Sequence, residues 1–502
     1  MRRIHSNCLF VSGAAFAFAA GCSSLPSVGP DYEEPSLALP EVTLPDAGSP
    51  TTNLTASLGY RPADGAADRR IVISKDAIAQ WWNRFDDPVL TGLVEGAQTN
   101  NLPYQAALRR LEAADYEVMG ARAAYLPAFA VGGGWQRSWR NRNTTGNPTG
   151  ENGYNLNSKQ IALDGDWEID IFGGNRRRTE AALARAEAAR WTADDLWISL
   201  TSQIGAEYIR LRTIQARLDV ARTNLVLQSE TYDILKASFD SGIGNELSVN
   251  QCAYIVEQTR ANIPQLLAAE EASKNALAIF AGRTPGELEE LLAPLATARD
   301  WLLPPQKVAE IPLDLMRARP DVKIAERELA AATAEIGVAK SLWFPRLSLN
   351  GSIGFDSSDS KTLFSKDSFL ASLGPSVSWP IFRGGAIYAN LKAAEKLAEA
   401  AALNYELAIR SAYGEVRDAY SAYTQEYHRC QALAAAVKAA ADAVAISQDL
   451  HKNGLAEFNN VLDAQRSLLQ CQEAYVVSRG QITLDLIALY RALGGGLAVE
   501  RP

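Results

Sequence analysis

The chain has little of what enzymes and metal proteins are built from. Three histidines in 502 residues, His5, His428 and His451, leave little base chemistry and no arrangement with a nucleophile. Five scattered cysteines form no C-x-x-C pair, so a redox or zinc site has no ligand set to start from. Cys252, Cys430 and Cys471 fall in helical patterns and read as small buried helix residues. No G-K-[ST] follows the glycine pairs Gly133-Gly134 and Gly173-Gly174, which excludes a phosphate loop. Positive charge is short as well. A net charge of -9 and a pI near 5.2 disfavour nucleic acid, which needs a basic face. The chain is expected to be no enzyme and to hold no metal or cofactor.

Proline is missing from two long stretches. Residues 175–240 hold none, and Gly205 is their one glycine; residues 386–452 have Gly414 as their one interior glycine. Each run is charge-laced, predicts a continuous helix, and would be roughly 100 Å long at 1.5 Å per residue. Leu211, Leu218, Leu225, Tyr232 and Phe239 recur every seventh residue, with Ile214, Ala221, Gln228 and Leu235 at the companion position. Val416, Tyr423, Cys430, Val437 and Val444 keep the same step in the second run. That is a coiled-coil register. Breaks at Ser241-Gly242 and Asn453-Gly454 lead into return helices, Leu247 to Phe280 and Phe458 to Leu493, which close on Gly282 and Gly494. Matching points lie about 212 residues apart, so the chain is a duplication of helical hairpins.

Each long run is preceded by alternating segments, expected as strands at about 127–136 and 159–169, and at about 346–356 and 368–380. Ile161, Leu163, Gly165 and Trp167 share one face against Ala162, Asp164 and Asp166. Leu347, Leu349, Gly351, Ile353 and Phe355 oppose Ser348, Asn350 and Ser352; Phe369, Ala371, Leu373, Pro375, Val377 and Trp379 oppose Ser372, Gly374, Ser376 and Ser378. Arg137 to Ser158 and Asp356 to Asp367 read as polar loops. A soluble sandwich tolerates such alternation; a transmembrane barrel requires it. Four strands cannot close a barrel, and about eight is the smallest useful number. The chain must then borrow edges from its own copies. Three copies would give 12 strands, although the pattern does not fix three. The strand-end aromatics Trp135, Trp167, Trp379, Phe369 and Phe382 suit a lipid–water interface.

The N-terminus is different again. Arg2, Arg3 and His5 precede an apolar run from Leu9 to Ala20, too short for a membrane span, which reads as a signal peptide over 1–21. Ala19-Ala20-Gly21-Cys22 resembles a bacterial lipoprotein box, which implies a covalent lipid on Cys22; Ser23 suits the version sorted to the outer membrane. Residues 22–75, rich in Pro, Gly, Asp and Ser, read as an extended arm. The two structural repeats then span 76–300 and 301–502. Trp81, Trp82, Phe85, Leu90 and Leu93 form one apolar helical stripe, a helix runs from Tyr104 to Ala124, and a short helix is expected at Leu288 to Leu295. Arg319-Pro320-Asp321 opens a helix running to Leu342.

Several segments carry a family resemblance in their order and spacing: Val28-Gly29-Pro30-Asp31-Tyr32 with Pro35; Trp82, Phe85, Asp87, Pro88 and Leu90; Arg319-Pro320-Asp321; Phe382, Gly384 and Gly385; and Leu462-Asp463-Ala464-Gln465-Arg466. Over nearly all of the mature chain it resembles the TolC-like outer-membrane channels, in the lipoprotein branch that serves tripartite efflux pumps. The resemblance implies a mixed α/β membrane protein, a homotrimer with one 12-stranded barrel and a periplasmic α-helical barrel. It implies a passive exit duct for small molecules, joined through a periplasmic adaptor to an inner-membrane transporter of RND type. A type I protein-secretion channel and a periplasmic coiled-coil lipoprotein stay open as alternatives. Family channels close at the hairpin tips, so Asp240, Gly242 and Glu246 at one tip, and Asp449, Gly454, Glu457 and Asp463 at the other, are the gate candidates. Lys452 and Arg466 are the available donors. Carboxylate rings would favour cations, and the two glycines would supply the positive φ of a tight turn.

Overall fold

A computed structural model describes residues 27–35, 70–72, 78–140, 154–294, 307–310 and 317–496. The expected signal peptide and Cys22 lie outside the described residues, as do most of the first polar loop and parts of the arm and linker. The chain divides into two compact units, each assembled from three separate segments.

The first unit holds residues 110–189 and 324–405 with the N-terminal segment. Its centre is a four-stranded antiparallel sheet of β2 (Ala128–Arg140), β3 (Tyr154–Ile169), β5 (Arg346–Ser357) and β6 (Phe369–Ser378), in the order β2-β3-β5-β6. Sequence order and spatial order agree, so each repeat contributes one hairpin and the hairpins meet along β3 and β5. β2 and β3 run to 13 and 16 residues, longer than their alternation indicated. Arg137, Asn155 and Asn157 stay in the ladder, although their polarity suggested a loop. Paired backbone satisfies its hydrogen bonds whatever the side chains, so a strand can outrun its apolar pattern. The register puts Phe129, Val131, Trp135, Ile161, Leu163, Ile353, Phe355, Leu373 and Val377 on one face. Asp164, Asp166, Asn350, Ser352, Ser372 and Ser376 line the other, as the alternation predicted. Two glycines, Gly165 and Gly351, lie opposite each other in the apolar row. Phe129 covers the first and Leu373 the second, each at 3.0 to 3.2 Å from where a Cβ would stand.

The second unit holds residues 37–109, 190–323 and 406–502. Both long runs are unbroken helices of 67 residues, α3 (Gly174–Asp240) and α6 (Ala386–Lys452), each beginning in the first unit and continuing in the second. Their return partners, α4 (Glu246–Phe280) and α7 (Phe458–Ala492), are 35 residues each. Starts and ends repeat at an offset of 212 residues. α4 keeps its helix through Pro264, at the loss of one backbone donor. The heptad positions are most buried where the hairpins share a core and open toward the tips: Leu211, Leu218 and Val416 are buried, whereas Phe239 is exposed.

That core also takes in the short helices. Trp81 is fully buried, stacked on Tyr490 with ring centroids 6.0 Å apart. Its indole lies against Gly205, where a Cβ would come within 2.3 Å of the ring. The one interior glycine of α3 is therefore a seat for a tryptophan. The expected stripe from Trp81 to Leu93 is two elements. A 3-10 turn (Trp81–Phe85) ends at Asp86 with φ 47°, and Asp87 then caps α1 (Pro88–Asn100) by accepting from the Val89 and Leu90 amides. α2 (Leu102–Ala123) follows. The short helix expected at Leu288 to Leu295 is a chain of turns over 285–292, with Leu288 and Leu292 buried. Pro285 and Gly286, the latter at φ 94°, leave too few residues to nucleate a helix there. The end of the arm pairs in parallel with the chain between the two repeats' helices: β1 (Arg70–Val72) against β4 (Lys307–Glu310). α5 (Pro320–Ser341) is the first helix of the second repeat.

Candidate functional site

Both hairpin tips are built by one device. The Gly242 amide donates to Phe239 O and the Ile243 amide to Ser238 O; the Gly454 amide donates to His451 O and the Leu455 amide to Leu450 O. These paired bonds cap the last carbonyls of α3 and α6, and they need a left-handed residue between them. Gly242 and Gly454 supply it at φ 79° and 72°. The tips then diverge. Asn245 caps α4 by accepting from the Leu247 amide at 2.9 Å, whereas Glu457 stands at the same point of α7 with no side-chain cap. His451 closes the second tip instead, its Nδ1 3.1 Å from Ala456 O and its ring against Phe458.

Every gate candidate acid is exposed: Asp240, Glu246, Asp449, Glu457 and Asp463. Among the described residues no ion pair joins a tip acid of one hairpin to a cation of the other. Asp463 pairs with Arg466 of its own helix at 3.2 Å, and Lys452 takes none of the acids. Ile243 and Leu455 occupy matched positions beside the turn glycines and are more than three-quarters exposed. Behind the tips, Cys252, Ile255, Phe458, Val461 and Leu462 form a small apolar cluster. Burial pushes the Cys252 thiol up to about 11, so it stays a protonated packing group.

Deeper in the second unit lies an open groove of about 740 Å³ among α3, α6 and α7. Glu207, Glu415, Asp418 and Asp485 line it with Arg210 and Arg491. Burial, with Glu426 nearby, raises the Asp485 carboxyl, while a bond from Gln481 at 2.7 Å works the other way. Arg319 is the ionic hub of this region. Its guanidinium is buried, which opposes its charge, yet it donates to Asp321, Glu415 and Ala492 O, and the two carboxylates raise it. The Arg-Pro-Asp segment thus ties the start of α5 to α6 and to the end of α7. Nothing in the spacing of those three residues announced that role.

In the first unit two of the predicted interface aromatics, one from each repeat, use their indole N–H alike. Trp167 Nε1 donates to Tyr125 O at 2.9 Å, and Trp379 Nε1 donates to Trp343 O at 3.0 Å. Each ties the end of a hairpin to the chain just before that hairpin starts. Trp135, Phe369, Phe382 and Trp379 are exposed, as is Trp139. The N-terminal segment is clamped nearby. Val28 donates to Phe172 O, and Gly29, at φ 102°, lies where a Cβ would come within 2.5 Å of Gly337. Arg177 donates to the carbonyls of Val28 and Gly29 and to Asp31, the last at 2.6 Å. Burial, with Glu326 next, pushes Tyr32 up to about 12, and Arg327 stacks on its ring.

The model of the family described as outer membrane efflux protein matches residues 93–283 and 312–495. Nodulation protein T of Rhizobium leguminosarum bv. viciae is 31% identical over 464 residues, 91% of each chain. The toluene efflux pump outer membrane protein TtgI of Pseudomonas putida is 29% identical over 97% of this chain and 98% of its own. Among solved structures, the outer-membrane channel OprN superposes with a TM-score of 0.81 at 31% identity, covering 94% of this chain and 99% of the other.

Proposed function

The chain belongs to the outer membrane efflux protein family and is an efflux outer-membrane channel, and from that premise we propose how the single chain described above becomes a duct. Three copies join edge to edge. The observation that carries this is the sheet: four strands, apolar on one face and polar on the other, with β2 and β6 unpaired at its edges among the described residues. Free edges cannot be left in hydrocarbon, because each unpaired backbone group there costs several kcal/mol. Pairing β2 of one copy with β6 of the next closes 12 strands, with the apolar face to lipid and the Asp164, Asp166 and Asn350 face to water. Apolar residues left open on the long helices, such as Val226, Ile234, Leu397, Leu407 and Ile446, favour the same assembly, since neighbouring copies would cover them.

The helices carry the duct through the periplasm, and the tips form its closing end. The exposed acids Asp240, Glu246, Asp449, Glu457 and Asp463 become rings when tripled and give the opening a cation preference. The partners are a periplasmic adaptor at the tips and an inner-membrane transporter of RND type. Cys22 carries a lipid that holds the N-terminal segment at the inner leaflet, and localisation is the outer membrane. The cargo is small molecules, in line with relatives named for toluene and solvent efflux. Those names also favour efflux over protein secretion.

The test is twofold. Detergent-extracted protein should run as three processed chains, each lighter than the 54.3 kDa of the full sequence by its signal peptide, with a β signal that resists mild heating. A monomer with no β signal would defeat the assembly. Restoring toxic-compound resistance to an efflux-deficient host that supplies adaptor and transporter is the functional arm; no restoration would defeat the efflux role.

A further inference from the structure

The lipid-facing side of the sheet is almost without charge. Every carboxylate in the four strands, Asp164, Asp166, Glu168 and Asp356, is on the opposite face by register. Two cations break the rule. Arg137 and Lys159 belong to the apolar face, and both stand at the end next to the connecting loops. Trp135 pairs with Lys159, and Arg137 pairs with Asn157, so the two cations are diagonal neighbours. That spacing corresponds to about 7 to 8 Å between Cβ atoms. Trp135 and Trp139 flank Arg137 on the same face of β2, and all three are exposed.

Their surroundings leave them available. Arg137 makes no ion pair among the described residues. Lys159 donates to Ser360 Oγ at 2.6 Å, which leaves two of its three N–H groups free. The nearest strand carboxylate, Asp356, is turned to the other face and accepts from Ser158. The loop above adds Lys361 and Lys366 with Asp359 and Asp367, and is close to neutral.

We propose that Arg137 and Lys159, framed by Trp135 and Trp139, form a docking surface for a phosphate-bearing lipid of the outer leaflet. This rests on the reading of the sheet as part of a transmembrane barrel with its loops outside. Charge complementarity selects the occupant. A cation pair at the head of the apolar rows that run through Ile161, Val131 and Phe129 matches an amphiphile with anionic head and apolar tail, whereas a free anion would gain nothing from those rows. The phosphate bridges the guanidinium and the ammonium, and the indoles pack on the headgroup and upper chain. Each cation near an anionic lipid contributes about 1 kcal/mol, so removing both should weaken binding about 30-fold.

The experiment uses the full-length protein, purified and delipidated, with native mass spectrometry in titrations of bisphosphorylated lipid A. Wild type should retain lipid A in preference to phosphatidylethanolamine. The double variant Arg137→Gln/Lys159→Gln should lose about 30-fold in affinity, while Lys438→Gln, on a helix, should lose none. Both cations are outside the core, so the variant is expected to assemble. A trimeric, β-rich double variant that holds lipid A as wild type does overturns the proposal alone. So does equal retention of phosphatidylethanolamine by wild type. A monomeric wild type with no β signal overturns the barrel reading and the proposal with it.

Discussion

Tyr208 Oη donates to Asp87 Oδ2 at 2.6 Å, joining the middle of α3 to the residue that caps α1. Arg212 in turn donates to the phenol oxygen at 3.0 Å. Burial, then the bond to Asp87, raises the phenol, so it remains a donor at any working pH. Tyr208→Phe removes the donor and leaves Asp87 buried with one oxygen unanswered. It should lower stability by about 1 to 3 kcal/mol, read in a denaturant titration of the assembled protein. The α1 cap, which uses the other oxygen, should persist.

Gly205 holds the same region from the other side. A methyl group there meets the Trp81 ring at 2.3 Å, and the ring is fully buried against Tyr490. Overpacking of this kind costs about 1 to 3 kcal/mol. Gly205→Ala should therefore destabilise, although alanine is the better helix former, and tryptophan fluorescence should report the shifted ring. Gly414→Ala, where nothing lies within 4 Å, should instead be neutral or stabilising in the isolated chain.

The tips give a conformational prediction. Gly242→Ala or Gly454→Ala forces an L side chain into the left-handed region at φ 79° or 72°. The expected penalty is about 1 to 2 kcal/mol per site. It should appear as faster amide exchange over residues 238–247 or 450–458, with the sheet unaffected. Asn at either position should recover part of the loss.

Asp485 carries a pH dependence. Its carboxyl is raised in the folded protein by burial, with Glu426 adding to it. The folded state then keeps the proton to higher pH than the unfolded chain, whose aspartates titrate near about 3.9. Stability contributed by the protonated form is present below that value and falls as pH rises through the folded value. Asp485→Asn preserves an acceptor for Gln481 and removes the titration. The variant should melt higher than wild type at pH 7, with the difference vanishing below pH of about 4.

Much of this architecture was written in local pattern. The two 67-residue helices followed from the absence of proline and the scarcity of glycine, the turns from Gly242 and Gly454, and the strand faces from two-residue alternation. Those signals are local because backbone sterics and burial of one face act over a few residues. The contacts that hold the candidate site together are not local. Asp87 meets Tyr208 across 121 residues, and Arg319 meets Ala492 across 173. Gly29 owes its place to Gly337, which no spacing rule connects to it. The ends of β2 and β3 escaped for another reason: side-chain polarity marks a membrane boundary, whereas the ladder of backbone bonds does not stop there.

Equal helix lengths impose a rule on how the molecule can change. α3 and α6 both run 67 residues, and α4 and α7 both run 35. A few residues inserted into one arm would displace one tip from its counterpart and shift every heptad beyond the insertion. Tolerated length changes should come in whole heptads, in the ascending and descending arms together, and in both repeats at once. The duplication acts as a ruler: drift in any one arm is visible to the other three.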